Sequence, residues 1–103
     1  MNYAIHISRR ANSDLASIWD YTAREYGPDA ADEYISLLDA SMESLTEFPK
    51  IGADSSHVRN GYRKLRSGSH LIFYIPHNDG IEVVRILHER MDITSEMGSD
   101  DFH

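Results

Sequence analysis

Apolar and polar positions first alternate and then fall into helical spacing. Tyr3, Ile5 and Ile7 alternate with Ala4, His6 and Ser8, which predicts a short strand. Ser8 is placed to cap a helix, and the period changes there. Ala11, Leu15, Ile18, Trp19, Thr22 and Tyr26 fall on one helical face, with Asp14 and Tyr21 at its border and Asp20 and Arg24 opposite. Gly27-Pro28 stops that helix and starts another, because glycine suits the position past a helix and proline the first position inside one. Ala31, Tyr34, Ile35, Leu38, Met42 and Leu45 repeat the spacing until Phe48-Pro49. Residues 9–48 are therefore predicted to form an antiparallel helical hairpin.

Ile51 to Asn60 is rich in Gly, Asp, Ser and Asn and is predicted to be a loop. Three strand-like runs follow: Tyr62 to Arg66, His70 to Ile75 and Ile81 to Glu89. Ser67-Gly68-Ser69 and Pro76-His77-Asn78-Asp79-Gly80 are the turns between them. The predicted order is β-α-α-β-β-β, an α+β fold with the hairpin laid on one face of an antiparallel sheet. Residues 1–93 form one domain, and the acidic stretch 94–103 is predicted to be a flexible tail.

Composition narrows the function classes. A chain of 103 residues, 41% hydrophobic and 26% charged, has the balance of a single globular domain. It contains no cysteine, which excludes disulfide scaffolds, cysteine-ligated zinc and thiol catalysis. No apolar run approaches the ~18 residues of a membrane span, and the N-terminus lacks a signal-peptide pattern, so a cytosolic domain with no membrane contact is expected.

The net charge is −7, unevenly spread: residues 1–56 hold four bases and ten acids, residues 57–90 six bases and three acids, and residues 91–103 four acids and no base. An acidic chain is a poor candidate for gripping nucleic acid by itself, because phosphate neutralisation supplies most of that affinity. The basic middle segment reads either as solvated charge paired with Glu82 and Glu89 or as a patch for an acidic partner.

Catalytic motifs are missing. Six histidines show no metal-ligand spacing, and His88 and Glu89, as strand neighbours, point to opposite faces. No phosphate loop or nucleophile elbow is present, and the glycines read as turn or cap residues. No cofactor, metal or catalytic residue is expected.

Five segments carry a resemblance, in order, over about residues 3–93. They are Ser8-Arg9-Arg10-Ala11-Asn12-Ser13-Asp14-Leu15-Ala16-Ser17-Ile18-Trp19-Asp20-Tyr21, Leu45-Thr46-Glu47-Phe48-Pro49-Lys50-Ile51-Gly52, Arg59-x-Gly61-Tyr62-Arg63, Gly68-Ser69-His70-Leu71-Ile72-Phe73-Tyr74, and Val84-Arg85-Ile86-Leu87-His88-Glu89-Arg90-Met91-Asp92-Ile93. Together they resemble the ParE branch of the RelE/ParE toxin superfamily. That resemblance implies the toxin of a type II toxin–antitoxin pair. Such a toxin is held inactive by the C-terminal segment of a cognate antitoxin, often a ribbon-helix-helix protein that binds operator DNA. Freed, it acts on DNA gyrase; the RelE branch instead cuts messenger RNA on the ribosome.

The residues distinguish those branches. Phosphodiester cleavage needs cations and a proton-transfer group. Here the segment after Arg90 offers Asp92 and Glu96 but no Lys, Arg, His or Tyr up to Met97. A binding inhibitor of gyrase is the preferred reading, with an RNA endonuclease or a non-toxic interaction module as alternatives. Arg63, Arg66, Arg85, His88 and Arg90 are the candidates for target binding, although strand parity forbids one shared face. Trp19, Tyr21, Tyr26 and Tyr34 are the candidates for antitoxin binding, either as exposed anchors or as core.

Overall fold

The computed structural model describes residues 4–91 and Ile93; Tyr3 of the predicted first strand, Asp92 and the predicted tail 94–103 lie outside the described residues. The first strand, β1, is Ala4–Ile7, and the chain turns at Ser8 into α1, Arg9–Tyr26. The Ser8 hydroxyl oxygen accepts the Ala11 N–H at 3.0 Å, which satisfies one of the helix's orphan donors. The same hydroxyl donates to the Val84 carbonyl at 2.8 Å, so the cap also ties α1 to the last strand. Gly27 closes α1 through its N–H to Ala23, and Pro28 opens α2, Pro28–Glu47, as the sequence predicts.

Four further strands follow: β2 Ala53–Asp54, β3 Arg63–Ser67, β4 His70–His77 and β5 Gly80–His88. They form one five-stranded sheet in the order β1-β5-β4-β3-β2. Two features differ from the sequence reading. The sheet is mixed, because β1 pairs parallel to β5 with Ala4 opposite Gly80 and Ile7 opposite Val83. The helical hairpin is the crossover that a parallel pairing of distant strands requires. The stretch read as a loop contains β2, whose two residues pair antiparallel with Lys64 and Arg63. A two-residue strand is too short to show a period.

The hairpin covers one face of the sheet. Ala11, Ile18, Leu38, Met42 and Leu45 pack against Ile72, Tyr74, Ile81, Val83 and Ile86, with Ile5, Ile7, Leu15, Ile35 and Leu65 around them. Tyr26 is the exception on the predicted apolar face: it is the last residue of α1 and 73% exposed. On the opposite face Tyr62, Phe73 and Leu87 are buried beneath Val58, Leu71, Ile75, Val84 and Ile93. Antiparallel pairing of β4 and β5 is interrupted by a register shift at Phe73/Tyr74, where Phe73 faces Arg85 and Tyr74 faces Val83. Val84 is the extra residue, which resets side-chain parity along β5.

Gly80, read from the sequence as a turn glycine, stands opposite Ala4 in the β1–β5 pairing. A Cβ there would run into the Ala4 carbonyl oxygen. Replacement by alanine is expected to force β1 away and to cost about 1–3 kcal/mol. Equilibrium denaturation of Gly80→Ala checks this; an unchanged midpoint would show that the strands yield without loss.

Candidate binding surfaces

The five basic candidates do not converge on one surface. Arg63 turns back to the α2–β2 connection, donating to the Gly52 carbonyl at 2.7 Å and the Lys50 carbonyl at 3.3 Å. Arg66, paired with Leu71 across the strands, donates to both oxygens of Glu89 at 2.8 and 3.0 Å. This is an exposed ion pair of small energetic weight. Arg85 is 6% exposed, and its Nε and a terminal nitrogen fork onto the Asp14 carboxylate at 2.9 and 3.0 Å. His88 stacks edge to face on His70, with ring centroids 5.2 Å apart. Arg90 is exposed beyond β5. The set expected to bind a target is thus split between structural and solvent-facing roles.

Arg85 is structural because of where β1 stops. β1 ends at Ile7, so β5 beyond Val83 has no strand on that side. Ser8 supplies a donor to Val83 and to Val84, and Asp14 Oδ2 accepts the Ile86 N–H at 2.9 Å. One carboxylate therefore ends a strand edge and neutralises a buried guanidinium at once.

The aromatic candidates divide similarly. Trp19 is half-buried, and its indole N–H donates to Asp32 at 2.8 Å, binding the two helices together. Tyr34 is half-buried against Gly68; its hydroxyl accepts the Ser69 N–H at 3.0 Å and shares a 2.6 Å hydrogen bond with His70 Nδ1. Tyr21 and Tyr26 are exposed. Leu37, Phe48 and Ile51 are exposed as well, and the sequence reading passed over them. Leu37 carried a signal, since it falls outside the stripe of Ala31, Tyr34, Ile35, Leu38, Met42 and Leu45.

On the face away from the helices, burial pushes the Tyr62 phenol up to about 12, with smaller opposing effects from Arg59 and Glu82. Phe73 and Leu87 are buried with it. Among the described residues, no group of three or more His, Asp or Glu side chains is arranged to hold a metal ion, and no helix is long and apolar enough to cross a membrane.

Comparison with known proteins converges on one family. The family described as "ParE toxin of type II toxin-antitoxin system, parDE" matches residues 5–93. A relative named Toxin ParE1 from Caulobacter vibrioides is 37% identical over 92 residues, covering 89% of this chain and 95% of its own length. Another protein of that name, from Mycobacterium tuberculosis, is 41% identical over 88 residues, covering 84% and 90%. Among solved structures, a chain of the chromosomal ParDE TA system from P. aeruginosa superposes with a TM-score of 0.74 at 20% identity, covering 84% of this chain and 95% of that one, and so shares its fold.

The split among the cations is measurable. Arg85→Ala leaves the Asp14 carboxylate without its charge partner and is expected to cost about 3–5 kcal/mol of stability. Arg90→Ala and Arg66→Ala are expected to stay within about 1 kcal/mol of the parent. Urea denaturation of the three variants tests the division, and a stable Arg85→Ala protein would refute it.

Proposed function

The chain belongs to the ParE toxin family of type II toxin–antitoxin systems, and we propose that it acts by binding DNA gyrase, without catalysis of its own, until a cognate antitoxin neutralises it. A cytoplasmic site of action goes with that target. The observation that carries the binding reading is the position of His88. As the first candidate acid for RNA cleavage it would need to face a substrate. Instead it packs against His70, which Tyr34 of α2 holds. Arg85, the cation nearest it on β5 that could brace a phosphate, is engaged by Asp14. The net charge of −7 further opposes docking on ribosomal RNA.

Antitoxin recognition falls to what remains exposed and apolar. Tyr21, Tyr26 and Leu37 lie on the hairpin, and Phe48 and Ile51 lie just past it. A wrapping C-terminal segment that buries these side chains and pairs with an open sheet edge would exceed the ~1,200 Å² of a stable interface. A ribbon-helix-helix antitoxin fits this role.

Purified toxin is expected to slow gyrase supercoiling and to leave messenger RNA on purified ribosomes uncut. Codon-position cleavage on ribosomes would falsify the gyrase reading. For the partner, Leu37→Ala and Tyr21→Ala should each weaken calorimetrically measured antitoxin binding by about 1 kcal/mol or more at unchanged thermal stability. Unaltered affinity in both would move the antitoxin off the hairpin.

A further inference from the structure

We propose that Tyr34, His70 and His88 form an acid-opened latch that fastens the β3–β4 turn and the end of β5 to α2. Hydrogen accounting assigns the closed state. The Tyr34 oxygen accepts the Ser69 N–H, so its own hydrogen is left for His70 Nδ1, 2.6 Å away. His88 Nδ1 accepts the Arg90 N–H at 3.1 Å. Each neutral ring therefore offers a lone pair at Nδ1 and carries its proton on Nε2.

A proton added at either Nδ1 removes that acceptor. On His88 it sets two donors against each other, and the turn in which Met91 N–H reaches the His88 carbonyl at 2.9 Å loses its brace. On His70 it displaces the Tyr34 hydrogen and places a positive charge beside the second imidazole, 5.2 Å between ring centres. Opening would loosen the β3–β4 turn at Ser69 and the segment leading to Ile93, which packs on the cluster of Tyr62, Phe73 and Leu87.

The surroundings of His70 favour its neutral ring. Tyr34 faces it from α2, Asp14 from α1 and Glu89 from the end of β5. Both carboxylates are already engaged, Asp14 by Arg85 and Glu89 by Arg66. Burial first, and then His88, lowers the pKa of His70 in spite of Asp14 and Glu89. A histidine lowered on folding binds fewer protons in the folded state than in the unfolded one. Its stabilisation is complete above the unfolded value of about 6.5 and is lost as pH falls below it. The latch is thus closed at neutral pH and opens towards mild acidity.

Amide hydrogen exchange of the full chain between about pH 7.5 and about pH 5.5, corrected for intrinsic rates, reads the latch directly and independently of gyrase. Ser69, Arg90 and Met91 are expected to lose protection relative to Ile72 in the core of β4, by a few-fold and at most about tenfold. The double variant His70→Asn/His88→Asn keeps an acceptor at each position without a titrating proton, and its protection should be flat across the range. Imidazole nitrogen NMR of the parent protein gives a second reading that needs no variant. Both Nδ1 atoms should be unprotonated at neutral pH, and their protonation should track the loss of amide protection. Ser69 and Arg90 staying protected while both rings are protonated would overturn the proposal. So would a loss that is uniform over the chain or persists undiminished in the double variant.

Discussion

Asp14 holds the domain together at the point where its sheet would otherwise be incomplete. β1 is only four residues long, so β5 outruns it and leaves backbone donors facing α1. Filling that edge with a carboxylate satisfies the Ile86 N–H and creates a site for Arg85, whose buried charge could not stand alone. α1 must then cross the sheet where Asp14 meets Ile86, and its contacts with β5 follow from that crossing. The pairing of α2 with α1 through the core that Ile18 and Leu38 share, and through the Trp19–Asp32 hydrogen bond, places the second helix in turn.

This arrangement gives three of the six cations of residues 57–90 structural partners. Arg85 completes the edge of β5, Arg63 anchors the chain leaving α2, and Arg66 is matched by Glu89. The large apolar side chains that stay exposed on the hairpin and just past it, Tyr21, Tyr26, Leu37, Phe48 and Ile51, stand among exposed acidic positions such as Asp20, Glu33, Asp39 and Glu43.

The helices were legible because their signals are local. The Ser8 cap, the Gly27-Pro28 break and the period of Ala31, Leu38, Met42 and Leu45 each depend on neighbours a few residues away, and the structure follows them. The strands at 63–67, 70–77 and 80–88 were legible from β-branched and aromatic content between turns. Illegible features were those set by distant residues. The parallel register of β1 depends on Gly80, and the extra residue at Val84 undoes any parity argument about Arg85. Asp14 was visible as a carboxylate beside an apolar stripe, a position that calls for a buried partner, but the sequence does not name that partner. Tyr34 looked like an interface anchor because its attachment to Ser69 and His70 spans more than thirty positions.

The parallel pairing of β1 with β5 also orders events during synthesis. Residues 4–7 can pair with β5 once residues 80–83 exist, and the Asp14 carboxylate meets Arg85 across 71 positions. Until then the hairpin can form by itself, but its apolar face has no sheet to cover. Contacts of such long separation are slow to close and leave hydrophobic surface open meanwhile. The nascent toxin is therefore a helical hairpin awaiting its platform.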